Sequence, residues 1–211
     1  MSAPTDVEID PIATTPDRAA ARLLLDRYID RADADLAAHL IVDAPPGVTI
    51  AAAKALDLLE VRTPLLTASF WVRGIPAKVL RQPEPPPPEK LTLEGDLPLP
   101  GWMVLDEDPG HEIVFGAIGV FWTPTIRWNV GVAASEFAGF EQPGWGKIAC
   151  SYSVRPYGAE RALLTYECRT LTTDEESRRE FGRYWWLIRP FVQHIMNATV
   201  RTIAARAEAA G

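Results

Sequence analysis

Residues 145–208 read WGKIACSYSVRPYGAERALLTYECRTLTTDEESRREFGRYWWLIRPFVQHIMNATVRTIAARAE, and this stretch decides the fold. From Trp145 to Val154 side chains alternate, with Lys147, Ala149, Ser151 and Ser153 on one face and Ile148, Cys150, Tyr152 and Val154 on the other. A period of two is the signature of a strand. Pro156, Tyr157 and Gly158 form a turn. Arg161 to Thr170 alternates again, with Arg161, Thr165, Glu167 and Arg169 opposite Ala162, Leu164, Tyr166 and Cys168. The pair is expected to be an antiparallel hairpin with its polar face in solvent and its apolar face in the interior.

The pattern then changes period. Thr173 and Glu176 have capping-box spacing, and acids suit the positive end of a helix. Phe181, Tyr184, Trp185, Ile188, Val192, Ile195, Met196 and Ile203 fall on one helical stripe, broken only by Thr199. A helix to about Glu208 follows, with a kink expected between Trp186 and Pro190 because proline removes one ladder hydrogen bond.

Working back toward the N-terminus, Gly101 onward is β-rich. Trp102–Asp106 and Glu112–Gly116 are expected strands joined by the turn Asp108-Pro109-Gly110-His111, and Gly119–Trp122 and Ile126–Val132 continue the pattern. The four prolines Pro85 to Pro88 make 82–90 a stiff polyproline connection, read as a spacer rather than as a ligand for a proline-recognition domain. Thr63–Val72 and Val48–Leu59 are helical in character, and His39–Asp43 is a strand stopped by Ala44-Pro45-Pro46. Asp17–Ala32 carries Ala21, Leu24, Leu25, Tyr28 and Ile29 at helical spacing, and residues 1–16 are expected to be a flexible tail. Residues 17–211 thus form one domain.

Composition narrows the function classes. A chain of 211 residues with 47% hydrophobic residues can bury a sizeable core. A formal charge of -7 opposes binding to nucleic-acid phosphates or anionic membranes. The N-terminus has acids where a signal peptide needs bases, and no apolar run approaches the roughly 18 residues of a membrane span. A cytoplasmic protein without integral membrane association is expected. Cys150 and Cys168 read as reduced, buried thiols.

The order of strand, two helical segments, several antiparallel strands and a long C-terminal helix resembles the helix-grip fold of the SRPBCC superfamily. That group includes START lipid-transfer domains and polyketide cyclase/dehydrase-like proteins. Ile41-Val42-Asp43-Ala44-Pro45-Pro46 is similar to its first strand and turn. Tyr166 to Thr170 followed by Asp174, Phe181, Tyr184, Trp185 and Pro190 is similar to a bacterial branch of the superfamily. The likeness covers roughly residues 38 to 208. Two features depart from it: a long Pro-rich segment, and an Ala/Leu-rich first helix where relatives often carry a Trp. The resemblance implies an α+β fold, a curved antiparallel sheet wrapped around the last helix, with an interior cavity for a lipid, polyketide or other apolar molecule. It implies no shared catalytic residue.

Trp122, Tyr152, Tyr166, Tyr184, Trp185 and Ile188 are the candidate ligand-binding residues, because Tyr and Trp join an apolar body to a polar handle. No catalytic set stands out. His39, His111 and His194 have no metal-ligand spacing, there is no phosphate loop, and Asp106, Glu107 and Asp108 read as a solvated turn. No metal or cofactor is expected. Binding of a hydrophobic small molecule is the leading reading. A cyclase- or dehydratase-like enzyme with Tyr152 and Tyr166 as acid groups is the alternative, and an interaction module using the Pro-rich loop is a third.

Overall fold

The computed structural model describes residues 22–57, 92–93 and 101–211. The expected tail at 1–16, the helical segment at 63–72 and the Pro-rich loop at 82–90 lie outside these residues. Six strands form one antiparallel sheet: β1 (Ala34–Val42), β2 (Trp102–Asp108), β3 (Glu112–Val120), β4 (Arg127–Trp128), β5 (Gly146–Tyr157) and β6 (Arg161–Thr172). The spatial order is β1-β6-β5-β3-β2, with the two-residue β4 paired to β3. Among the described residues two α-helices pack with it, α1 (Pro46–Lys54) and the 36-residue α2 (Glu175–Ala210). A curved sheet gripping a C-terminal helix of about 54 Å is the helix-grip architecture.

The β5–β6 hairpin is the spine. Gly158 takes φ +75° at its turn, a conformation a side chain would resist. Tyr152 then faces Tyr166, and Cys150 faces Cys168, across the ladder. α2 starts one residue later than the capping-box spacing suggested. Asp174 is the cap: its carboxylate accepts from Ser177 N (2.9 Å) and Ser177 Oγ (2.8 Å). Thr173 instead donates its hydroxyl to Trp145 O (3.0 Å), tying the helix entry to the start of β5. The helical run continues through Pro190, whose ring is on the exposed side.

α2 packs on β1, β6 and α1. Phe181, Met196, Val200, Ile203, Ala204 and Ala207 are buried beneath it. All but Phe181, which packs with Ala34 and Phe121, meet Leu36, Val42, Ile113, Phe115, Tyr152 and Leu164 of the sheet and Ile50 and Ala53 of α1.

The opposite face of the sheet differs from the expectation of an open polar surface. Lys147, Ala149, Ser151 and Ser153 are buried. A second core of Leu25, Ile29, Val114, Ile118, Phe137 and Ala149 lies there, built by the N-terminal segment and the loop before β5. Lys147 survives burial because its ammonium donates to Ala138 O (2.9 Å) over the Phe137 ring, and desolvation lowers its pKa. Alternation assigns residues to a common face but does not say whether chain from elsewhere covers that face.

The same contacts explain the N-terminal segment. Within the described residues the expected helix is one 3-10 turn, Leu24–Arg27. The carboxylate of Glu112, 5% exposed, accepts from Leu24 N (2.8 Å) and Leu25 N (3.3 Å), and its pKa is raised by burial. Arg169 binds Asp26 (2.7 Å), Ile29 O (2.7 Å) and Glu167 (2.7 Å). These tertiary anchors satisfy polar groups that a longer helix would satisfy along its own ladder. Likewise, Ile126–Val132 contributes only Arg127 and Trp128 to the sheet, and α1 ends at Lys54.

Candidate binding cleft

β3, β5 and β6 present Phe115, Ile148, Cys150, Tyr152, Leu164, Tyr166 and Cys168 to the interior. This face is not closed uniformly. Tyr152, Cys150 and Leu164 are buried, yet Ile148, Tyr166 and Cys168 beside them keep accessible surface, as do Trp185 and Val192 of α2 and Trp102 and Val104 of β2. β6 is an inner strand between β1 and β5, so partial exposure at Tyr166 comes from space above the sheet and not from an edge. α2 has its sheet contacts with β1 and β6, and the apolar and aromatic groups that keep accessible surface beside it mark the candidate cleft.

Two phenols form its floor. The rings of Tyr152 and Tyr166 are 4.7 Å apart, and Phe115 lies 5.4 Å from Tyr152. Burial pushes the pKa of both phenols well above the ordinary tyrosine value. Both are therefore protonated at neutral pH and act as hydrogen-bond donors. Among the described residues the buried Tyr152 hydroxyl makes no hydrogen bond of good geometry, and the Tyr166 phenol beside it is the polar group whose interaction with it offsets part of the upward shift. The Cys150 thiol is held well above the usual range, first by its contact with Cys168 and then by burial, which favours the protonated thiol.

Five of the six candidate residues pack in two clusters that share Trp185, and Ile188 stands apart. Tyr152 and Tyr166 are on the floor. Trp122 and Tyr184 lie at one end, in a cluster around Ala34, Phe121 and Phe181. Trp122 Nε1 donates to Glu180 (2.9 Å), which fixes that indole at the surface of the cluster. Trp185 packs against both groups and joins them. Ile188, a turn further along α2, is half-buried and packs in neither cluster among the described residues.

The sequence reading passed over Phe115, Trp102 and Trp128. They complete an aromatic arc: Phe115–Trp102 (6.1 Å), Trp102–Trp128 (5.9 Å), Trp128–Phe121 (6.4 Å), Phe121–Phe181 (5.7 Å) and Phe181–Trp185 (5.8 Å). For Phe115 the sequence signal is weak because β3 is buried on both faces and shows no alternation.

Two grooves lie elsewhere. One of about 530 Å³ runs between α1 and the last turns of α2, beside Val48, Ala51, Ala52 and Arg206. The other, about 310 Å³, lies between α1 and the β2–β3 turn. Neither borders the six candidates. His39 bonds Thr165 Oγ1 (2.9 Å) at the surface, His111 sits in the β2–β3 turn, and His194 is exposed on α2. Asp106 and Glu107 pair with Arg27 and Lys54. Among the described residues no group of three or more His, Cys, Asp or Glu side chains could hold a metal, and no helix is long and apolar enough to cross a membrane.

The chain has a helix-grip architecture, an antiparallel sheet with a long C-terminal helix. Similar solved structures include Zhui aromatase/cyclase from a Streptomyces species, at 17% identity over 84% of this chain and 98% of that one, with a TM-score of 0.31. Protein CV1439 from Chromobacterium violaceum matches at 16% identity over 82% and 96%, with a TM-score of 0.34. TTHA0849 from Thermus thermophilus matches at 13% over 84% and 99%, with a TM-score of 0.31. No family model and no curated protein matches the chain.

Proposed function

We propose that the chain binds or carries a hydrophobic small molecule, such as a lipid or polyketide, between the sheet and α2. The carrying observation is the combination at the cleft floor. Apolar side chains on an inner strand keep accessible surface, beside a buried phenol with an unused donor. An apolar ligand with one acceptor oxygen satisfies both, covering apolar area at about 25 cal/mol per Å² and occupying the Tyr152 hydroxyl.

The test is saturable binding of a neutral naphthylamine probe, read by energy transfer from Trp185 and the surrounding indoles. Cys168→Trp fills the cleft from its floor and should reduce probe affinity at least about tenfold while the chain stays folded, since overpacking costs about 1–3 kcal/mol. No saturable binding, or equal binding to the Cys168→Trp protein, would overturn the proposal. Mass spectrometry of small molecules extracted from native protein then identifies the ligand class.

The paired phenols support one further reading on the same cleft, a cyclase- or dehydratase-like reaction. Protonated Tyr152 and Tyr166 would hold and polarise a substrate carbonyl. That reading requires a turnover that Tyr→Phe changes abolish, whereas a carrier retains affinity for purely hydrocarbon ligands after the same changes.

A further inference from the structure

The outer face of α2 holds an apolar patch that nothing among the described residues covers. Trp186 is 81% exposed, Leu187 62% and Phe191 40%, with Pro190 exposed between them. At about 100° per residue, Glu176, Arg183, Leu187, Pro190, His194 and Arg201 share a strip about 60° wide, opposite the buried stripe. All six are exposed.

The strip has an internal symmetry. About a point between Ile188 and Arg189, each member has a mate equally far along the helix in the other direction: Leu187 with Pro190, Arg183 with His194, and Glu176 with Arg201. Trp186 and Phe191 flank the strip on opposite sides and are also equidistant from that point. Glu176 and Arg201 make no ion pair among the described residues, although neighbouring charges on the same helix, such as Arg178, do.

We infer that this face is a two-fold interface with a second copy of the chain, formed by antiparallel packing of the two α2 helices. A two-fold axis through the Ile188–Arg189 point sets Leu187 and Pro190 at the centre. It brings Trp186 against its own copy on one side and Phe191 against its own copy on the other. Glu176 of each chain meets Arg201 of the other at both ends, about 19 Å from the axis. This pairing requires shallow packing. At the coiled-coil-like angle of about 20° the ends part sideways by about 7 Å, which Glu and Arg side chains span, whereas at about 50° they part by about 16 Å and do not.

A membrane surface fits the same patch less well. The strip mixes Glu176 with its bases, Glu180 stands beside it, and the chain's formal charge of -7 repels anionic lipid.

Sedimentation equilibrium of the full chain tests the interface. Wild-type protein should dimerise in the range of roughly 1–50 µM. Glu176→Arg and Arg201→Glu should each weaken the dimer at least about tenfold by setting like charges opposite each other. The double variant Glu176→Arg/Arg201→Glu should recover affinity to within about threefold, because the exchanged charges again mate across the axis. Leu187→Ala should weaken the dimer without rescue. Unchanged thermal unfolding of the monomeric variants shows that the fold is intact. A wild-type chain still monomeric at about 100 µM would overturn the inference, whether or not it then floats with anionic vesicles. So would a double variant no tighter than the single ones.

Discussion

Replacing Tyr152 by Phe removes one oxygen atom, and the structure fixes the sign of two separate effects. The side chain is 1% exposed and its hydroxyl has no hydrogen-bond partner. A buried donor left unsatisfied costs about 1–3 kcal/mol. Deleting it recovers that cost, less up to about 1 kcal/mol for the space the oxygen leaves. The empty protein should therefore gain about 0–2 kcal/mol of stability. At about 2–4 °C per kcal/mol for a chain of this size, the midpoint of thermal unfolding should rise by up to about 8 °C. Binding should move the other way. A ligand that accepts from the phenol loses about 0.5–1.5 kcal/mol, a two- to twelve-fold fall in affinity, whereas a hydrocarbon probe loses nothing. The measurements are scanning calorimetry of ligand-stripped protein and titration with a ketone and with its hydrocarbon analogue. A midpoint lowered by more than about 2 °C would refute the reasoning, because it would mean that the hydroxyl is engaged in the empty fold.

Other expectations follow from contacts away from the cleft. Arg169→Ala releases Asp26, Glu167 and the Ile29 carbonyl together. It should cost about 2–3 kcal/mol, less than a fully buried pair, and should raise hydrogen exchange in the Leu24–Arg27 turn first. The backbone N–H groups of Ser177 and Gly144 hold the Asp174 carboxyl at a pKa of about 2. Its folded pKa is depressed, so its stabilisation is present above the unfolded value near about 3.9 and is lost as pH falls from about 4 to 2. The Asp174→Asn protein should lack this part of the acid transition in a pH-dependent melting series. Cys150 and Cys168 are both free. Denatured protein should titrate two thiols, and in the native state Cys168, which keeps accessible surface, should react before buried Cys150.

The sequence made the β5–β6 hairpin and α2 legible because each carries a clean period, two and then 3.6. The register followed from the turn: Tyr152 opposite Tyr166 could be read once Pro156, Tyr157 and Gly158 were taken as the reversal. What failed to show has a physical reason in each case. β3, Glu-Ile-Val-Phe-Gly-Ala-Ile-Gly-Val from Glu112 to Val120, is buried on both faces and so lacks alternation. Its pattern alone therefore reads as two short strands and does not single out Phe115. Alternation puts Lys147 on the polar face, and no local pattern announces that Phe137 and the Ala138 carbonyl enclose it. Leu25 and Ile29 have helical spacing, but Glu112 and Arg169, far along the chain, take over the polar groups of that segment. Of the candidate site, the Tyr152–Tyr166–Trp185 part follows from face and stripe. Trp122 followed only from composition, and its bond to Glu180 depends on how the helix start meets the end of β3.

The chemistry of the cleft also narrows the charge of what it can hold. The inward side chains of β1, β3, β5 and β6 here are Leu36, Ala38, Ile113, Phe115, Ile148, Cys150, Tyr152, Leu164, Tyr166 and Cys168, and none carries a formal charge at neutral pH. Burial raises the pKa of both phenols, the direction expected where an anion is poorly solvated. A ligand carboxylate placed beside them would meet the same desolvation, with two hydrogen bonds and, among the described residues of this face, no cation to offset it. A long-chain alcohol or ketone should therefore bind at least about tenfold more tightly than the carboxylate of equal chain length at pH 7.5, a difference of about 1.4 kcal/mol. The gap should close as pH falls toward the acid's own pKa, because the protonated acid is neutral and carries the same acceptor. Competition against the naphthylamine probe at pH 7.5 and pH 5 reads both affinities. Equal or tighter carboxylate binding at pH 7.5 would show that the head group reaches a cation at the cleft mouth, and that the phenols at the floor are not what orients the ligand.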